Sequence, residues 1–102
     1  MSETIIGRIY IIRDILGLGI YYVGSTERTL GVRWGNHKTS YNRASIYPYM
    51  LRYGIENFEM ILIKEYSVVD TYHLRAYEQL YINKFKCINR RNVMFFFKNQ
   101  YY

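Results

Sequence analysis

The chain has 102 residues, the size of one domain, and fourteen Lys and Arg against eight Asp and Glu leave a net charge of +6. Half of the residues are hydrophobic, which excludes a wholly disordered chain. The longest apolar run, Val93 to Phe97, is too short to span a membrane, and no secretory leader precedes Ile5. The single cysteine, Cys87, excludes an internal disulfide and a cysteine-based zinc site. We therefore expect one basic intracellular domain over residues 1–102, with no membrane partner.

Charge and tyrosine content both bear on the partner. Two stretches carry bases and no acid, one from Arg28 to Ile55 and one from Gln79 to the end. Such tracts can bring a positive field to one face, which is typical of a surface that binds a phosphate backbone. The thirteen tyrosines suit a nucleic-acid surface too, since tyrosine stacks and hydrogen-bonds, although an A/T-biased genome would give the same count. The two acid-free basic stretches could instead form an ordinary solvated surface, but their pattern favours a polyanion as the binding partner.

The first predicted elements are two strands, residues 7–13 and 20–25, joined by the glycine-containing segment DILGLG as an antiparallel hairpin. Because side chains alternate along a strand, Tyr10 and Ile12 should share one face, with Ile9 and Ile11 on the other. A register that brings Tyr10 and Tyr22 to the same face is available, but the sequence leaves it open.

Two helices and a third strand are predicted next. Residues 26–41 have apolar and aromatic side chains at helical spacing, with Ser25, Thr26 or Thr29 as the N-cap. A short helix is expected over residues 46–53, since Pro48 suits a first turn and Gly54 a C-cap. Residues 58–66 (FEMILIKEY) predict a third, largely buried strand.

The last predicted helix, residues 71–85, carries an inward-pointing acid. Asp70 or Thr71 can cap it. At about 100° per residue, one apolar stripe forms and Glu78 falls within it. The stripe consists of Leu74, Tyr77, Tyr81, Ile82 and Phe85. The opposite side of the helix carries Arg75, Gln79, Asn83 and Lys86. Because an unpaired buried carboxylate is unfavourable, Glu78 should meet a cation, a metal or a proton. A structural salt bridge is the alternative to a metal ligand on the floor of a cleft.

Together these residues resemble the GIY-YIG nuclease family. The signature pair stands as Arg8-Ile9-Tyr10 and Tyr22-Val23-Gly24, with eleven residues between the two tyrosines. The other matching segments are Gly31-Val32-Arg33-Trp34 followed by His37, then residues 52–58 (RYGIENF), then residues 76–82 (AYEQLYI) around Glu78, and a final asparagine. Asn89 is the preferred match for that asparagine and Asn92 the alternative. The resemblance covers residues 7–93 and leaves an aromatic tail, residues 94–102. Arg8 departs from the family, which most often has glycine there.

The resemblance implies an α+β fold, with a small three-stranded antiparallel sheet flanked by helices, and hydrolysis of DNA phosphodiester bonds with one Mg²⁺ or Mn²⁺ per site and no small-molecule cofactor. By resemblance, Glu78 holds the metal, Arg33 grips the phosphate, and Tyr10 is the general base. Tyr22 would order water or phosphate, and His37 would polarise Tyr10 or shuttle a proton. The expected DNA contacts are Arg8, Arg28, Lys38, Arg43 and Asn89. Each of the site residues could instead be ordinary packing or surface.

Three functions compete. A DNA endonuclease consisting of little more than the catalytic domain would have low sequence specificity, or would recognise a DNA structure, since the chain has no room for a separate reading domain. A nucleic-acid-binding protein without cleavage should lack Tyr10, Tyr22, Arg33 or Glu78, and all four are present. A protein-interaction module, including a homodimer, could use the apolar residues 93–102; two small nucleases paired in this way could cut both strands.

Overall fold

The computed structural model describes residues 4–38, 44–85 and 87. It is an α+β fold, as predicted, with three strands and three helices. The strands are β1 (Ile5–Asp14), β2 (Tyr21–Thr26) and β3 (Phe58–Val68). The helices are α1 (Leu30–His37), α2 (Tyr47–Tyr53) and α3 (Thr71–Lys84), and a 3-10 turn (Ile55–Asn57) leads into β3. The sheet has the order β2-β1-β3, and both pairings are antiparallel.

The central strand β1 is buried on both faces, which explains its nearly continuous apolar sequence. On one face Ile9 and Ile11 pack with Val23 and the apolar side of α3. On the other face Tyr10 and Ile12 pack with a second core, to which α1 and α2 contribute. The predicted alternation of β1 is therefore confirmed. Tyr22 packs against the same core as Tyr10, so the register brings both tyrosines to one side of the sheet.

The caps explain where the helices begin and end. Thr29 is the N-cap of α1 and accepts a 3.3 Å hydrogen bond from the backbone N–H of Val32, so this helix starts later than residue 26. In α2, Pro48 lies in the first turn, and Gly54 ends the helix at a φ of 95°, where a side chain would be strained. Asp70 caps α3 by accepting from the N–H of His73 at 2.8 Å. The predictions for α2 and α3 are confirmed.

Two predictions of burial are wrong. β3 was expected to be largely buried, but only its end residues Phe58 and Val68 are, because β3 lies at the edge of the sheet formed by the described residues. Gln79 was placed on the outer side of α3, yet it is buried and donates to Asn83. Arg43, Lys86, Asn89, Asn92 and the tail lie outside the described residues. Within the described part of the chain, no helix combines the length and apolarity needed to cross a membrane.

Candidate active site

A cleft of about 450 Å³ opens where β2 ends and passes into α1, opposite the first half of α3. Four of the five predicted catalytic residues line it, each from a different element. They are Tyr10 from β1, Tyr22 from β2, Arg33 from α1 and Glu78 from α3. The fifth, His37, lies in the wall behind Tyr10. The cleft therefore brings together side chains that are distant in the sequence.

Tyr10 is held by two polar partners. Its hydroxyl shares a 2.7 Å hydrogen bond with Nε2 of His37 and accepts a 3.1 Å hydrogen bond from Nε of Arg33. Burial raises the pKa of Tyr10 to about 12, although the nearby Arg33 charge acts in the opposite direction. Tyr10 is therefore a neutral phenol at neutral pH, and its oxygen already contacts the guanidinium expected to bind phosphate.

His37 is fully buried at the end of α1, between the two tyrosines of the signature. Its ring meets the rings of Tyr10 and Tyr22 edge-on, each at 5.6 Å between centroids. Burial, and then the positive charge of Arg33, lower the pKa of His37 to about 4. The imidazole is therefore neutral at pH 7, and a neutral imidazole has one ring nitrogen that can accept a proton.

Tyr22 is only half-buried and reaches the cleft from the strand next to Tyr10. Burial raises the pKa of Tyr22, and the proximity of Tyr10 and Glu78 raises it further, because a phenolate would be repelled by other negative charges. Tyr22 is thus a neutral hydroxyl that can donate to or accept from a group in the cleft.

Glu78 points inward from α3, as its helical position predicts, and only 8% of its surface is exposed. Burial raises the pKa of its carboxyl group, while a hydrogen bond from Ser25 and the charges of Arg75 and Arg33 act to lower it. Ser25 donates its hydroxyl to Oε1 of Glu78. Among the described residues no Lys or Arg forms an ion pair with Glu78, so the structural salt bridge considered from the sequence is not found there.

The donor chemistry around Glu78 fits a hard divalent cation. Mg²⁺ takes oxygen ligands and keeps several waters, so one carboxylate facing a hydrated cleft is sufficient. A nearby cation would also offset the unfavourable burial of this carboxylate. In the described part of the chain no three His, Cys, Asp or Glu side chains cluster as they would in an all-protein metal cage.

The predicted DNA-binding residues within the described ranges have different surroundings. Arg28 lines the cleft. Arg8 forms an ion pair with Glu65 at 3.0 Å and donates to the backbone carbonyl of Arg28 at 3.2 Å, so it also supports the loop after β2. Lys38 is exposed and lies over the Trp34 ring, 5.4 Å from its centroid, outside the cleft lining.

Sequence reasoning missed two residues of the site. Ser25 was considered only as a helix cap, but it lies in β2, one residue before the end of the strand, and donates to Glu78. Arg75 was assigned to the outer side of α3, yet it lines the cleft. The signal for Arg75 was its position three residues before Glu78, since residues three apart are neighbours on a helix surface. Ser25 carried no such signal, because its contact spans 53 positions.

Comparison with known proteins decides the family. The model of the GIY-YIG catalytic domain matches residues 6–92, most of the chain. The chain belongs to the GIY-YIG family. This is a nuclease family, and the sheet flanked by helices is consistent with its fold, so the resemblance seen in the sequence is confirmed.

Two relatives come from Invertebrate iridescent virus 6. "Uncharacterized protein 019R" is 36% identical over 90 residues, which are 85% of this GIY-YIG chain and 32% of the relative. "Putative MSV199 domain-containing protein 146R" is 31% identical over 86 residues, or 81% of this chain and 35% of the relative. The chain thus spans about a third of the length of these curated relatives. No solved structure matches significantly.

Proposed function

We propose that this GIY-YIG domain is a metal-dependent DNA endonuclease that hydrolyses phosphodiester bonds with little sequence readout of its own. The observation that carries the proposal is the convergence of Tyr10, Tyr22, Arg33 and Glu78 on one cleft. Phosphodiester hydrolysis needs an activated water, a cation to stabilise charge on phosphorus-bound oxygen, and help for the leaving oxygen. The four side chains and His37 supply groups for these tasks.

Arg33 is proposed to bind the scissile phosphate. Its guanidinium is planar and permanently charged, and it can donate to two phosphate oxygens at once. It is half-buried, so its charge is less screened than that of a surface arginine. Its side chain already lies in the cleft, where Nε donates a 3.1 Å hydrogen bond to the Tyr10 hydroxyl.

Glu78 is proposed to hold the divalent cation, with Ser25 fixing the orientation of its carboxylate. When bound, the cation would supply Lewis-acid stabilisation of charge on the phosphate and the leaving oxygen. The hydrogen bond from Ser25 occupies Oε1. Oε2 of the same carboxylate is therefore the oxygen that we assign to the cleft side.

Tyr10 and His37 are proposed to form a proton relay. The phenol oxygen takes a proton from the attacking water while the phenol passes its own proton to Nε2 of His37. The relay requires no free phenolate, which agrees with the raised pKa of Tyr10. Tyr10 has no exposed surface, and Arg33 occupies one side of its oxygen. We propose that Arg33 turns toward the bound phosphate and leaves that side to the water. The phosphate's negative charge also offsets the Arg33 charge that disfavours protonated His37.

Cleavage of supercoiled plasmid tests the proposal. We expect the wild-type protein to cut the plasmid in the presence of Mg²⁺ or Mn²⁺ and not in the presence of EDTA. The cleavage rate of Glu78→Ala should be at least about 100-fold lower than that of the wild type. Glu56→Ala is the matched control, because Glu56 is an exposed carboxylate outside the cleft lining and should leave cutting unchanged.

Two outcomes would contradict the proposal. Equal cutting by wild type and Glu78→Ala would mean that the site is assigned wrongly or that a contaminant cuts. Salt-sensitive DNA binding without cutting by any sample would support a nucleic-acid-binding domain of the same fold instead.

A further inference from the structure

Two further arginines line the cleft, each from a different element. Arg28 belongs to the segment between β2 and α1, and Arg75 to the second turn of α3. Both are exposed, in contrast to the half-buried Arg33. Neither forms an ion pair with a described carboxylate; the ion pairs found there join Arg8 to Glu65 and Arg13 to Glu59. The charges of Arg28 and Arg75 are thus not neutralised by these pairs.

Arg75 belongs to the same wall as Glu78, one helical turn earlier. Residues three apart are neighbours on a helix surface, so the side chain of Arg75 leaves α3 next to that of Glu78. It also lines the same cleft as Tyr10, Tyr22 and Arg33. A cation beside the metal-binding position, yet outside the hydrogen-bonded group of Tyr10, Arg33 and His37, is not needed for the proton relay.

Hydrogen bonds connect the two segments that carry these arginines. Thr71, at the start of α3, donates its hydroxyl to Oε2 of Glu27 at 2.6 Å, which joins α3 to the segment that carries Arg28. The Arg28 backbone is held as well, since its N–H donates to the Thr26 hydroxyl at 3.0 Å and its carbonyl accepts from Arg8 at 3.2 Å. The backbone segments that carry the two arginines are thus organised in advance of binding.

We infer that Arg75 is a phosphate-binding residue, which together with Arg28 contacts DNA phosphates next to the scissile one. The inference rests on the proposed function, which assigns the scissile phosphate to Arg33 and Glu78 on the cleft floor. A continuous strand that lies on the floor carries its neighbouring phosphates past the exposed side chains that line the cleft. The guanidinium forks there match phosphate oxygens. Arg75 is in this sense a positioning residue, and it takes no part in the chemical step.

The salt dependence of DNA binding tests this inference. Fluorescence anisotropy would follow a short labelled duplex of mixed sequence, in EDTA so that the strand is not cut. A plot of the logarithm of the DNA-binding constant against the logarithm of the salt concentration has a negative slope. Each lost phosphate contact should reduce the magnitude of this slope by about 0.9. When the salt concentration rises from about 50 to 200 mM, both proteins should lose affinity for DNA. The factor by which Arg75→Gln loses affinity should be about 3.5-fold smaller than the factor for the wild type. Arg75→Lys should restore the slope, because it keeps the charge.

Lys84→Gln is the matched control, since Lys84 lies on the same helix, over the Tyr81 ring and outside the cleft lining. A wild-type slope for Arg75→Gln, or an equal fall for Lys84→Gln, would overturn the role of Arg75 and leave the proposed nuclease intact. A wild-type protein that neither binds nor cuts DNA would overturn both proposals. In cleavage assays Arg75→Gln should raise KM while kcat changes little, because the contact exists before and during the reaction.

Discussion

Glu78 is the residue whose surroundings conflict most with stability. A carboxylate that is 92% buried and hydrogen-bonded to one hydroxyl has lost most of its hydration without gaining an ion-pair partner among the described residues. Residues at functional sites often make the folded state less stable than a neutral side chain would. Glu78 fits this pattern under the proposed function, in which its charge holds a cation in the cleft.

Replacing Glu78 by glutamine should therefore stabilise the fold. The pKa of Glu78 is raised on folding, so its contribution to stability is fully present below the unfolded-chain pKa and is lost as pH rises through the folded-state pKa. At neutral pH without divalent cations, Glu78→Gln should unfold with a free energy about 1 kcal/mol higher than that of the wild type. Thermal melts at several pH values would measure this, with the gap between the proteins closing in acid.

The same melts give the response to metal. Mg²⁺ should raise the Tm of the wild type and of the exposed control Glu56→Gln, because it binds the folded state, and should leave Glu78→Gln unchanged. A lower Tm for Glu78→Gln at neutral pH, or an equal Mg²⁺ response in all three proteins, would show that Glu78 is a structural residue.

At the scale of elements, the site depends on how closely β1 and β2 approach each other. Gly24 is the register partner of Tyr10. A Cβ atom at Gly24 would lie 2.3 Å from the Tyr10 hydroxyl oxygen and 2.4 Å from Cζ, closer than any real contact. The Tyr10 ring thus occupies the space that a side chain at position 24 would fill. The glycine of the Tyr22-Val23-Gly24 segment is therefore explained by packing against the proposed general base.

Gly24→Ala should displace the Tyr10 ring and break its contacts with Arg33 and His37. We expect cleavage to fall by about 100-fold, the effect of a 1 Å misplacement. Stability should fall by about 1–3 kcal/mol through overpacking. Gly35→Ala is the control: it lies on α1, has nothing within 4 Å of its added Cβ, and should raise stability by about 0.5–1 kcal/mol. The cleavage rates and thermal melts of both variants test this prediction. If Gly24→Ala cuts DNA at the wild-type rate, Tyr10 is not the general base.

For the whole molecule, the net charge of +6 and the arginines of the cleft favour a polyanion that is bound mainly through its backbone. Contacts to phosphates orient DNA but carry no direct base information. Among the described residues, the four proposed catalytic side chains that line a cleft form a single group around Glu78. One copy of the domain should therefore cut one strand at each encounter, with little preference for sequence.

Plasmid cleavage at several protein concentrations tests this expectation. Open-circular DNA should accumulate before linear DNA, the initial rate should rise in proportion to protein concentration, and two unrelated plasmids should be cut at similar rates. Linear product from the start, with a rate that rises as the square of concentration, would instead indicate paired copies, the homodimer considered from the sequence.

Local patterns in the sequence determined most of the strands and helices, and for some residues they determined which face of the element the side chain lies on. Strand alternation placed Tyr10 and Ile12 on one face of β1, cap residues gave the start of α3, and helical spacing pointed Glu78 inward. These features depend on residues a few positions apart, so short-range geometry is sufficient to predict them. Motif order and spacing identified the GIY-YIG family, and the family comparison confirmed it.

Only the tertiary structure decided which elements meet. The spacing within a strand does not tell whether it is central or at an edge, so the burial of β3 was overestimated. Helix geometry gave the direction of Glu78, but it gave neither Ser25 as its partner nor the position of Arg75 in the cleft lining. The bond between Tyr10 and His37 joins positions 27 apart. Such contacts are set by how β1, β2, α1 and α3 pack together, because each element fixes its own faces but not the neighbour that each face meets.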